Sequence, residues 1–130
     1  MATRHQARQA VIALLYAQGF CEQSEAGVCE LLEQKKVRNE QRAFALALYQ
    51  GVQANLAALD AYIQPFLKET QLPSPVEMAI LRLSAYELFH SDTPKAIIIN
   101  EAIELAKELA SENAPKFINA VLDALKGVAK

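Results

Sequence analysis

The sequence predicts an all-α fold, a single domain of six or seven helices, on three observations. Apolar residues recur at three- and four-residue spacing along most of the chain. No stretch alternates apolar and polar residues in the two-residue rhythm of a half-buried strand. Helix-start and helix-stop residues sit between the periodic segments. At 130 residues, 52% hydrophobic and 22% charged, the chain can bury a core without staples and belongs with folded globular chains.

The first helix starts at Thr3, with Gln6 three residues on as a capping box, and runs to about Gln18, where Gly19 ends it. Ala7, Ala10, Val11, Leu14 and Leu15 form its core stripe; His5, Arg8, Gln9, Ile12 and Tyr16 share the flank beside it, with Arg4 at the border. A second helix covers Ser24 to Lys35 and buries Val28, Leu31 and Leu32; Lys35, Lys36 and Arg38 follow as cations favouring a helix C-terminus. A long third helix runs from about Glu40 to Phe66 or Leu67 on a seam of Phe44, Leu48, Val52, Leu56, Leu59 and Ile63. Gly51 weakens it and Pro65 kinks or interrupts it.

Ser74 as N-cap, Pro75 at the first helical position and Glu77 at the third start the next helix. It runs to about His90 and buries Met78, Ile80, Leu81, Leu83, Leu88 and Phe89. Asp92, Thr93 and Pro94 turn the chain into the most apolar segment, Pro94 to Ala110. Ala96, Ile97, Ile98 and Ile99 fill every side of its first turn, so it is expected at the centre, wrapped by its neighbours. The last helix begins near Asn113, presents Phe117, Val121, Ala124 and Leu125, and stops after Lys126 at Gly127. The break at Leu72 to Pro75 divides a helical subgroup at about 1–71 from one at 72–130.

Several function classes fall away. His5 and His90 are isolated, no serine or cysteine is paired with a histidine at a recognisable spacing, and the four glycines form no phosphate loop. The sequence therefore predicts no enzyme and no cofactor. Cys21 and Cys29, without a CxxC, argue against a metal site and a required disulfide. Without a membrane-length apolar run or a signal-peptide pattern, the expectation is a cytoplasmic protein. A net charge of −2 counts against strong unaided binding to nucleic acid. Glu101, Glu104 and Glu108 read as a solvated face, with Glu104 and Lys107 paired along the helix.

Two spots mix cations with aromatic rings, the combination that holds single-stranded RNA by its phosphates and splayed bases. One is Arg4, His5, Arg8 and Tyr16; the other is Lys116, Phe117 and Asn119. Periodicity alone makes Phe117 a core residue, whereas Tyr16 lies off the core stripe.

LRLSAYEL (Leu81 to Leu88), INEAIELAK (Ile99 to Lys107), KFINAVLD (Lys116 to Asp123) and the opening RHQARQAVIALLY (Arg4 to Tyr16) resemble the bacterial transcription antitermination factor NusB family. The resemblance covers nearly the whole chain, and Cys21 to Asn39 is its least distinctive part. It implies two packed helical bundles. It also implies pairing with NusE, a small-subunit ribosomal protein, and binding of boxA single-stranded RNA in nascent transcripts, notably of ribosomal RNA operons. That complex joins other Nus factors on RNA polymerase. By motif, Arg4, Arg8 and Tyr16 take the places of the N-terminal RNA contacts, and Lys116 and Phe117 those of the second contact region; Glu77, at the start of the capped helix, is the candidate for contact with the basic partner. His5 and Gln6 stand where arginine is frequent in the family, and Ala120 where glycine is common. Three alternatives stay open: a helical protein–protein adaptor without sequence-selective RNA binding, a domain like that attached to some ribosomal RNA cytosine methyltransferases, and a homodimer that covers the RNA surface.

Overall fold

The computed structural model describes residues 3–18, 24–67 and 72–128. Among them are seven α-helices and no strand: α1 (Arg4–Gln18), α2 (Glu25–Gln34), α3 (Asn39–Ala54), α4 (Leu56–Ile63), α5 (Pro75–His90), α6 (Lys95–Leu109) and α7 (Ala114–Lys126).

Three helix starts are held by side chains. The Thr3 N–H donates to Gln6 Oε1 at 2.8 Å and the Gln6 N–H to Thr3 Oγ1 at 3.1 Å, the reciprocal box expected of α1. Ser74 and Glu77 form the same box at α5, with Pro75 at the first helical position. Ser24 caps α2 by accepting the Gly27 N–H at 3.0 Å. Asn113 stands at the N-cap position of α7 but makes no side-chain hydrogen bond to the helix. Gly19, expected to end α1, lies outside the described residues.

The long helix expected from Glu40 to Phe66 breaks at Asn55 instead of at Pro65. Asn55 leaves helical geometry (φ −116°, ψ 16°) while its Nδ2 donates to the Gly51 carbonyl at 2.8 Å. An asparagine that bonds the backbone four residues back competes with the helical ladder, and here it separates α3 from α4. Pro65 lies inside a single 3₁₀ turn, Gln64–Phe66, that closes α4; a proline near the start of such a turn removes no needed donor. Gly51 has a packing role, because a Cβ there would stand 2.2 Å from Tyr86 Cζ.

The central helix is α5, and this corrects the expectation for the segment Pro94 to Ala110. α5 packs against α1, α3, α4, α6 and α7. Its buried residues include Ala79, Ser84, Ala85 and Glu87 beside the expected Ile80, Leu81, Leu83 and Leu88, while Met78 and Phe89 are half-buried. Small residues let neighbours approach closely, and the two polar ones disguised the helix's central position. α6 packs chiefly on α5 and α7 and buries one stripe, Ile98, Ile99, Ala102, Leu105 and Ala106. Ala96 is exposed and Ile97 is 48% exposed, since an apolar residue has no obligation to be inside.

The remaining faces follow the sequence with local shifts. Leu31, Phe44 and Leu56 are half-buried where full burial was expected. α7 buries Ala114, Ile118, Val121, Leu122 and Leu125, so its inward face is rotated away from Phe117, which is half-buried, and from Ala124, which is exposed.

Candidate nucleic-acid interface

Both spots picked out by composition can now be placed on helices. The N-terminal spot lies on α1, which packs on α2, α3 and α5. Arg4 is exposed, and its guanidinium carbon stands 4.4 Å from the centre of the Phe44 ring on α3, a cation–π contact that orients the charge without neutralising it. Tyr16, 41% exposed, lies three turns further along α1, roughly 18 Å by the helical rise.

Arg8 does not stay on this flank, which corrects its assignment as an RNA contact. It is 4% exposed; Nε donates to Glu87 Oε1 and Nη2 to Glu87 Oε2, both at 2.8 Å. Burial alone would lower its pKa, but the hydrogen bonds and charge of Glu87, with Glu101 beside it, raise it instead. The fork of a guanidinium matches a carboxylate in this two-pronged way, so Arg8 is a strut between α1 and α5.

His5 is held as well. Nδ1 is 2.5 Å from Glu101 Oε2 and Nε2 is 2.5 Å from Glu108 Oε1, both on α6. The Gln9 amide also donates to Glu108. Partial burial lowers the His5 pKa, yet the hydrogen bonds and charges of the two carboxylates outweigh it, and the pKa lies above the ordinary histidine value. Glu101 and Glu108 are therefore more than a solvated face: they clasp α1 to α6. Glu104 and Lys107 do pair along α6, at 3.4 Å.

The second spot is a groove of about 460 Å³ beside α7, lined by Phe66, Asn113, Lys116, Phe117, Ala120 and Val121, with Ala124 at its end. Lys116 is exposed and makes no ion pair among the described residues. Phe117 shows one face to this groove while packing against the core. Asn119 is exposed, one turn on from Lys116 along α7, but is not part of the groove lining. Sequence reasoning missed Phe66, whose signal was an aromatic residue directly after the helix-ending Pro65. It also missed Phe44, which looked like a seam residue.

Glu77 is half-buried and already employed, its Oε1 accepting the Ser74 N–H at 2.8 Å in the α5 capping box. Among the described residues no group of three or more His, Cys, Asp and Glu could hold a metal ion. No helix there is long and apolar enough to cross a membrane.

Comparison with known proteins bears on the family and the fold. The NusB family model matches residues 1–126. A transcription antitermination protein NusB from Campylobacter jejuni (strain 81-176) is 58% identical over 127 residues, 96% of each chain. Among solved structures, T. maritima NusB superposes with a TM-score of 0.83 at 30% identity, covering 97% of this chain and 92% of that one. A chain from a crystal structure of antitermination factors NusB and NusE in complex with dsRNA superposes with a TM-score of 0.85 at 26% identity, covering 96% of each.

Proposed function

Since this chain belongs to the NusB family, we propose that it is a transcription antitermination factor that pairs with NusE and binds boxA RNA in nascent transcripts, notably of ribosomal RNA operons. In this reading it works in a complex of RNA polymerase with other Nus factors, in the cytoplasm. The observation that carries the RNA part is the α7 groove, whose lining brings Phe66 and Phe117 together with Lys116, a cation that makes no ion pair among the described residues. Ring faces accept any splayed base, and a lysine beside them takes the adjoining phosphate. Arg4 and Tyr16 on α1 form a second contact region, with Phe44 holding the Arg4 guanidinium.

Charge supports a shared site. The chain has a net charge of −2, Arg8 is spent on Glu87, and His5 is clasped by two carboxylates. A basic partner such as NusE would supply the remaining phosphate contacts, with Glu77 as the candidate residue facing it. The solved complex of NusB and NusE with dsRNA supports both partners for this fold.

Fluorescence anisotropy of a labelled boxA RNA against a scrambled RNA, with and without NusE, tests the proposal. Selective binding that tightens with NusE is the expected result. Tyr16→Ala and Phe66→Ala variants with unchanged circular dichroism should each weaken binding, on the order of 1–3 kcal/mol per stacked base. Pairing with NusE without any RNA selectivity would make the chain a protein adaptor.

A further inference from the structure

A cleft of about 720 Å³ opens where the turn between α2 and α3 meets the first turn of α1, and neither RNA contact region includes it. Lys35, Lys36, Arg38, Asn39 and Glu40 line it from one side and Gln6 from the other. We infer that this cleft holds phosphates of an RNA strand as it runs beyond the segment whose bases are read. The inference rests on the RNA reading above and extends it to a sequence-independent clamp.

Charge is the first argument. Residues 35–42, KKVRNEQR, carry four cations against one carboxylate in a chain whose net charge is −2. Lys35 and Lys36 are exposed and make no ion pair among the described residues. Arg38 and Arg42 share the single carboxylate of Glu33, at 2.5 Å and 3.6 Å, which leaves positive charge in surplus. Such a surface suits a polyanion and repels a basic protein.

The backbone adds to it. α2 ends in a Schellman turn: the Lys36 N–H donates to the Glu33 carbonyl at 3.0 Å and the Val37 N–H to the Leu32 carbonyl at 2.9 Å. Val37 and Leu32 are both fully buried, pinning the turn to the core. Lys36 occupies the left-handed position (φ 58°) where glycine is the usual residue. A lysine kept there sends its ammonium out from an anchored backbone. At the other wall α3 begins with Arg38 in the N-cap position, and no side chain caps its first N–H groups beside the lining residues Asn39 and Glu40. Continuity is the last point: α3, whose first residues line the cleft, also carries Phe44, the ring beneath the guanidinium of Arg4, a proposed RNA contact.

With NusE present throughout, the test compares wild type with Lys35→Gln/Lys36→Gln on two labelled RNAs, a short boxA RNA and the same RNA extended at both ends by oligouridine, over a range of salt concentrations. Wild type should bind the extended RNA more tightly and with a steeper salt dependence. The double variant should lose that gain, its slope falling by about 0.7 for each phosphate contact removed, and keep its affinity for the short RNA. Both side chains are exposed, so circular dichroism should be unchanged. Equal slopes for the two RNAs in wild type, or an unchanged slope in the variant, would overturn the clamp while leaving the base-reading surface standing. A cleft built for an acidic protein would give that second result. Wild type that binds neither RNA would remove the RNA reading, and this extension with it.

Discussion

Arg8 of α1 and Glu87 of α5, 79 residues apart in sequence, meet in a two-pronged ion pair with both side chains at or below 5% exposure. The pair joins the opening helix to the central one, and Glu101 of α6 approaches Arg8 Nη1 at 4.0 Å. A buried charge without its partner is far costlier than the pair is favourable. Arg8→Ala or Glu87→Ala should therefore each destabilise the fold by about 3–5 kcal/mol in urea unfolding. Arg8→Met/Glu87→Leu should recover most of that loss, because apolar residues of similar size leave nothing unpaired. A double variant as unstable as the two single ones added together would refute the strut.

His5 gives the fold a pH dependence of known sign. Both ring nitrogens face carboxylates, and only the protonated imidazole can donate at both. Its pKa in the folded state is raised: desolvation works against the charge, but Glu101 and Glu108 prevail. Stability from the clasp is thus fully present below the unfolded value of about 6.5 and fades as pH rises through the higher folded value. His5→Ala should cost stability near pH 6 and much less at a pH well above the folded pKa. Urea unfolding at the two pH values checks this, and an equal loss at both would show that the imidazole's charge contributes nothing.

Much of the fold was legible in local pattern. The boxes at Thr3/Gln6 and Ser74/Glu77 marked two helix starts because capping is settled within one turn. The Arg8–Glu87 pair was not legible, since no local periodicity couples positions so far apart, and Arg8 read as part of the flank beside the core stripe. The central place of α5 was hidden for the same reason: Ser84 and Glu87 made its sequence look less buried than the isoleucine-rich α6. Of the site, Lys116 and Phe117 stood out by residue type, while Phe66 required the fold of α4 against α7 to reach the groove.

Gly51 was read as a weak point in its helix, and the structure gives it a reason to be glycine. A Cβ would stand 2.2 Å from Tyr86 Cζ and 2.3 Å from its hydroxyl oxygen, and that ring also stacks on His90. Helix propensity favours alanine over glycine by about 1 kcal/mol, but displacing a packed ring typically costs about 1–3 kcal/mol. Gly51→Ala should therefore destabilise the wild type. Introduced into Tyr86→Ala, where the ring is gone, the same change should stabilise by about 1 kcal/mol. Urea unfolding of the four proteins completes the cycle, and the same sign in both backgrounds would rule out the ring as the cause.

Lys36 separates stability from binding at one position. Its left-handed backbone (φ 58°) carries a steric penalty of roughly 1–2 kcal/mol for a residue with a Cβ, part of which glycine would return as lost chain entropy on folding. The Schellman bonds from Lys36 and Val37 are backbone bonds and survive any side-chain change. Lys36→Gly should therefore raise stability by about 0.5–1 kcal/mol, read as a higher urea midpoint with an unchanged slope. In the same variant the salt dependence of binding to the extended RNA should become shallower, since the ammonium that faces the cleft is gone. A protein that gains stability at the cost of its phosphate contact would explain why lysine stands where the backbone favours glycine; a variant less stable than wild type would mean that the Lys36 side chain contributes a packing contact greater than the backbone penalty.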